Sequence, residues 1–173
     1  MSKTVENLKA AFAGESQARN MYTFFAKVAR KEGYHYIAEL FDETAANEQR
    51  HANDHFKMLN GIGTTAANLE EAINGENYET TDMYPTFAKE AEEEGNMEAA
   101  ILFKQIAKIE AHHRDRYKRC LEMVQNGTVF KRDQPIKWKC SVCGFTHEGT
   151  EPPPKCPACK HPREYYQPAN MDI

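Results

Sequence analysis

Two Glu-x-x-His pairs, Glu48 with His51 and Glu110 with His113, and two Cys-x-x-Cys pairs, Cys140 with Cys143 and Cys156 with Cys159, stand out as residues able to do chemistry. Glu and His three apart on a helix project from one side, so both can reach a single ion. Two such motifs facing each other would hold two ions. Glu15 and Glu76 fall at related places upstream of the two pairs, and Glu79 lies one turn beyond Glu76. One Glu from each of two helices with Glu-x-x-His from each of two others is the donor pattern of di-iron and di-manganese bundles. A lone helical Glu is most often a solvated charge. Six residues related by an internal repeat and set into apolar stripes make that explanation poor for the set, because inward carboxylates need a strong counter-charge. Carboxylates with a few imidazoles suit manganese, iron or zinc. If Glu79 joins, five carboxylates balance two ferrous or two ferric ions to within about one charge, which favours a redox metal.

The cysteine pairs carry a different chemistry. Four thiolates in two such knuckles make a closed tetrahedral site for zinc or a single iron. A segment of about 35 residues buries too little apolar surface to fold alone, so the metal should supply much of its stability. The fifth cysteine, Cys120, sits alone in a helical stretch and reads as a packed apolar residue.

The elements that must position these groups follow from periodicity. Val5, Leu8, Phe12, Tyr22, Phe25 and Ala29 mark one face of a helix over Thr4 to Lys31, ended by Gly33. A second helix is predicted from about His35 to Asn60, with Ile37, Leu40, Phe41, Thr44, Met58 and Leu59 inward, and Gly61 to Gly63 stop it. Residues 61 to about 75 are expected to form a crossover. A third helix should start near Glu76 and break at Gly95, with Pro85 bending it or marking its first turn. A fourth should run from Met97 to Gln125, capped by Asn126-Gly127.

The two helical halves repeat at an offset of 62 residues: Tyr22 returns as Tyr84, Phe25 as Phe87, Gly33 as Gly95, Phe41 as Phe103, Glu48 as Glu110 and His51 as His113. Glu79 has no acidic counterpart, since the offset points to Gln17. Duplicated helix pairs joined by one long crossover pack as a four-helix bundle, matching residues facing each other. The expected organisation is a helical bundle over 1–127, a linker over 128–135 and a cysteine domain with short β-strands over 136–173.

Charged residues make up 28% of the chain and the formal net charge is -4, against a broad nucleic-acid binder. No stretch approaches membrane-spanning length and the start carries no apolar run, so the cytoplasm is the expected compartment. His35, His112, His147 and His161 lack partner spacing and read as surface residues or neighbours of a site. His55 shares the inner face one turn beyond His51.

Taken together, Glu15, Glu48-x-x-His51, Gly75-Glu76-x-x-Glu79, Met83-Tyr84-Pro85, Glu110-x-x-His113 and the Trp138-Lys139-Cys140 tail with its Thr146-to-Glu151 run resemble the rubrerythrins over nearly the whole chain. The resemblance implies a ferritin-like bundle with two irons and a rubredoxin-like domain with a third, zinc being possible in either site as isolated. It implies that Glu48 and Glu110 bridge the irons, that Glu15 and Glu76 are terminal ligands and that His113 binds the second iron. Glu79 and His51 would compete for the first iron as oxidation state changes, and Tyr22 and Tyr84 would hydrogen-bond the ligand carboxylates.

The activity so implied is reduction of hydrogen peroxide to water as protection against oxidative stress, with Glu79, His51, Tyr22 and Tyr84 as the catalytic set. Electrons would enter singly through the tail from rubredoxin or an NAD(P)H-dependent reductase. A head-to-tail homodimer is implied too. Two other readings are open: a ferroxidase or iron-handling protein, and a zinc-stabilised module without enzymatic activity.

Overall fold

The protein's structure, a computed structural model, describes residues 2–170, so the last three residues of the tail fall outside it. The chain divides into two compact units, Met1–Gly63 and Thr64–Ile173. Among the described residues no helix is long and apolar enough to cross a membrane.

The first unit is a helical hairpin of α1 (Lys3–Lys31) and α2 (His35–Met58). The Ser2 hydroxyl caps α1 by accepting the Val5 amide at 3.4 Å. The turn between the helices needs a left-handed residue and Gly33 supplies it, at φ +87°. The Gly33 and Tyr34 amides then bond back to the carbonyls of Arg30 and Ala29, closing a Schellman motif. Alanines 26, 29, 38, 45 and 52 form the buried seam. Such small residues let the two backbones approach closely. The larger apolar side chains project from the hairpin instead, with Phe25 and Leu40 at 42% and 53% exposure.

The helical part of the second unit repeats this construction. It comprises α3 (Thr65–Tyr78), a π-helical stretch (Glu79–Met83), α4 (Tyr84–Glu93) and α5 (Met97–Gln125). Gly95 turns the chain at φ +79°, and the Gly95 and Asn96 amides bond the carbonyls of Glu92 and Ala91. Ala88, Ala91 and Ala100 stand where Ala26, Ala29 and Ala38 stand in the first unit, and Phe87 and Leu102 are again exposed, at 40% and 55%. Arg30 bonds Asp42 in the first hairpin, and Glu92 bonds Lys104 at the equivalent positions of the second. The ion pair has kept its place and exchanged its signs.

One expectation from the sequence is corrected here. The crossover predicted for residues 61 to about 75 is helical from Thr65, and the third helix begins there rather than near Glu76. The Thr64 hydroxyl caps it, accepting the Ala67 amide at 3.3 Å. Gly75 does not break it, since an interior glycine costs only about 1 kcal/mol against alanine. Pro85 enters in the first turn of α4, where its missing N–H is harmless.

The tail is a three-stranded antiparallel sheet in the order β2-β1-β3, with β1 at Ile136–Cys140, β2 at Thr146–Gly149 and β3 at Tyr166–Pro168. Trp138 pairs with His147 on one side and Pro168 on the other, and Cys140 pairs with Tyr166. Trp138, Cys140, Cys156 and Tyr166 form its core. The segment read as a linker is pinned to this sheet. The Arg132 amide bonds the Thr150 carbonyl at 2.9 Å, and its guanidinium lies 5.3 Å from the Trp138 ring centroid.

Candidate metal centres

In the first hairpin α1 carries Glu15, and α2 carries Glu48 and His51 one turn apart; each offers one donor atom within 4.8 Å of the others. His51 Nδ1 lies 2.9 Å from a Glu48 oxygen and 4.0 Å from Glu15. The Glu48 carboxyl beside it raises Glu15, and Glu15 and His51 together lower Glu48. His55, one turn further on, is close enough for its charge to act on Glu15. The hairpin thus concentrates acidic donors that repel one another unless a proton or a cation sits between them.

The second unit builds the same trio from Glu76 on α3 and from Glu110 and His113 on α5. His113 Nδ1 lies 2.6 Å from Glu110 and 3.6 Å from Glu76. Burial raises Glu76, and the Glu110 carboxyl beside it raises it further. One Glu76 oxygen is buried without a hydrogen-bond partner, an unmet valence that a cation would satisfy. Two carboxylates and an imidazole suit a borderline divalent metal such as iron, manganese or zinc.

Glu79 stands outside the trio, and the backbone shows why it is an extra. Tyr22 and Tyr84 are 62 apart, yet Glu15 and Glu76 are 61 apart, so one residue has been inserted between Glu76 and Tyr84. The helix absorbs it as the π-helical stretch Glu79–Met83. Glu79 opens that stretch, half-buried, and its charge acts on both Glu76 and Tyr84. The Tyr84 phenol is raised by burial first and then by Glu79, Glu110 and Glu76, so it stays a hydrogen-bond donor. Packing holds its ring 6.4 Å from Phe87 and 6.0 Å from Phe103, and Tyr22 sits likewise 6.3 Å from Phe25 and 6.2 Å from Phe41.

In the tail the four cysteines converge, with Sγ–Sγ separations of 3.7 Å for Cys140–Cys159 and for Cys143–Cys156. A tetrahedron with metal–sulfur bonds of about 2.3 Å has edges of about 3.8 Å, so the thiols are already spaced for an ion. The knuckles turn at Gly144 and Lys160, both with positive φ, whose amides bond the carbonyls of Cys140 and Cys156. Backbone amides of Cys143 and Val142 lower the Cys140 thiol despite burial. Burial opposes ionisation of Cys156, but the amides of Cys159 and Ala158 and the Tyr166 hydroxyl bring it down to about 6. At Cys159 the His161 amide favours the thiolate, yet burial and the three neighbouring sulfurs push it up to about 12. Full ionisation of the set therefore calls for a cation.

The seven carboxylate and histidine residues picked from the sequence thus fall into two local groups with Glu79 beside one, and the four cysteines into a third. Tyr166 was missed. Its signal was the register that sets it opposite Cys140, which spacing alone does not show.

The profile of the family described as Rubrerythrin matches residues 6–121, and that of its rubredoxin-like domain matches residues 138–167. Rubrerythrin of Porphyromonas gingivalis is 50% identical, across 96% of this chain and 90% of that protein. Rubrerythrin-1 of Clostridium acetobutylicum is 46% identical, across 96% of this chain and 94% of that protein. Rubrerythrin of Nitratidesulfovibrio vulgaris is 43% identical with the same coverages of 96% and 94%. Similarity at this level along both the helical repeat and the tail, over the ranges that contain the donor residues described above, means that the chain belongs to the rubrerythrin family.

Proposed function

We propose that the chain reduces hydrogen peroxide to water at a two-iron centre, and that the four-cysteine tail passes it electrons one at a time. The observation that carries this reading is the presence, on one chain, of a duplicated carboxylate–imidazole donor set and a preformed four-cysteine cluster. A storage or ferroxidase protein has no use for a tethered one-electron carrier. In each hairpin the fully buried positions are the alanine seam, and several large apolar side chains are exposed, Phe25 and Leu40 in one and Phe87 and Leu102 in the other. In this reading Glu15, Glu48 and His51, with Glu76, Glu110 and His113, are the residues that would hold the iron.

Iron in this donor set would supply the two electrons that hydrogen peroxide needs, with two protons, to become two waters. The chain's own residues manage protons and charge. Glu48 and Glu110, each within hydrogen-bonding distance of its histidine, would bridge the metal pair. Glu79, which opens the π-helical stretch, would carry a proton to the departing oxygen. Tyr84 remains protonated and would donate to the ligand carboxylates, with Tyr22 in the matching role of the other repeat.

The donor to the tail is rubredoxin or an NAD(P)H-dependent reductase, in the cytoplasm, and two chains pair head to tail so that one tail serves the other's centre. The deciding experiment reduces the iron-loaded protein without air, adds peroxide or dioxygen, and follows each reoxidation by stopped-flow absorption. Peroxide should be clearly faster. Faster reoxidation by dioxygen would replace this reading with an oxidase or ferroxidase.

A further inference from the structure

Tyr166 is the fourth member of the tail core and is 4% exposed. Strand pairing places it opposite Cys140, and its ring packs in one cluster with Trp138, Cys140 and Cys156. Its hydroxyl is buried and strict donor–acceptor geometry leaves it without a partner. A buried hydroxyl with nowhere to donate is costly, so a partner is expected once the site is complete. The group it faces is the Cys156 sulfur, whose own surroundings exclude water entirely. As a thiol that sulfur is a poor acceptor. As a thiolate, the form a metal ligand must take, it becomes a good one.

We propose that the Tyr166 hydroxyl donates a hydrogen bond to the Cys156 thiolate of the metal-loaded tail and thereby raises the reduction potential of the iron it holds. The inference rests on the proposed iron in the tail. The direction follows from charge. Four thiolates with ferric iron carry one net negative charge and with ferrous iron two, so a donor aimed at a ligand sulfur stabilises the reduced state more. Backbone amides already donate to the cysteine sulfurs, and they are fixed by the knuckle fold. The phenol is the side-chain donor that a single substitution can add or remove. A higher potential makes the tail an easier acceptor from its donor and a weaker driver of the helical centre, so this hydroxyl would help set how the two transfers are balanced.

The test is Tyr166→Phe in the full chain, which keeps the ring and deletes the oxygen. With iron loaded, spectroelectrochemical titration of the tail should show a reduction equilibrium about tenfold less favourable, a fall of about 59 mV for one electron. With cobalt(II) loaded instead, the sulfur-to-metal charge-transfer absorption should move to lower energy. Trp138 fluorescence verifies that the tail remains folded. An unchanged potential or an unchanged cobalt band in a folded variant would overturn the proposal. If the wild-type tail proves to take zinc and no iron, the proposed electron relay fails, while the cobalt band still decides whether the hydroxyl bonds the sulfur.

Discussion

Trp138 gives the sharpest test of how the tail is held together, because it is the largest fully buried side chain there. It is completely buried, and its indole N–H donates to the Gly149 carbonyl at 2.9 Å, tying β1 to the far end of β2. Replacing it with alanine removes the largest side chain of the core, worth about 3–5 kcal/mol. It also strands the Gly149 carbonyl, at about 1 kcal/mol or more. A loss of at least about 4 kcal/mol is comparable to all that so small a core can supply. A structural tetrathiolate metal contributes about 10–16 kcal/mol in zinc-finger peptides, so the metal-loaded variant should still fold. What changes is the grip on the metal: about 4 kcal/mol corresponds to about a thousandfold in the folded-to-unfolded ratio. The assay is ferric tetrathiolate absorption during a chelator titration, with helical circular dichroism followed in parallel. Tail colour should vanish at far lower chelator in Trp138→Ala, while the helical signal holds. Trp138 is the single tryptophan of the chain, so wild-type fluorescence reports on the tail alone. If the variant retains its metal as firmly as wild type, the hydrophobic account of the tail is wrong.

Two further outcomes follow from the repeat and its one irregularity. Gly33→Ala and Gly95→Ala should each destabilise by about 1–2 kcal/mol, the cost of a side chain in left-handed conformation, since an added Cβ at either position meets nothing within 4 Å; calorimetry should find the two losses equal, and a marked inequality would mean the hairpins do not turn alike. Glu79→Ala should leave metal content unchanged while slowing peroxide turnover by about a hundredfold or more, the usual worth of a general acid; elemental analysis with single-turnover kinetics measures both, and undiminished turnover would remove Glu79 from the mechanism.

The repeat was legible because both halves solve the same packing problem with the same residues. Gly33 and Gly95, the alanine seams, and the Tyr22–Phe25–Phe41 and Tyr84–Phe87–Phe103 clusters all follow the 62-residue offset and all appear in matching geometry. The donor trios were legible for the same reason, since each carboxylate interrupts an apolar stripe. What was misread is α3, whose sequence around Gly75 resembles a boundary. Helix propensity at one glycine is weak beside a capped helix that continues through it. The Tyr166 contact was out of reach because it depends on the β1–β3 register, which residue spacing alone does not show.

Glu79 joins these two kinds of information. The slip from an offset of 62 to one of 61 between Tyr84 and Glu76 is visible in the sequence, but its meaning is not: an inserted residue could loop out, break the helix or rotate one face of it. The structure shows the third outcome, a π-helical stretch that leaves the helix continuous and changes which residues share a face. An insertion that kept strict α-helical register would have turned every later residue by about 100°, moving Tyr84 and Phe87 off the face that packs on Phe103. Confining the extra residue to Glu79–Met83 keeps that packing intact and adds an acidic side chain near Glu76 and Tyr84. The asymmetry between the two halves is therefore local by construction. Deleting one residue within Glu79–Met83 should restore an ordinary α-helix and preserve the aromatic cluster. It should also leave two equivalent trios that bind metal without the additional carboxyl.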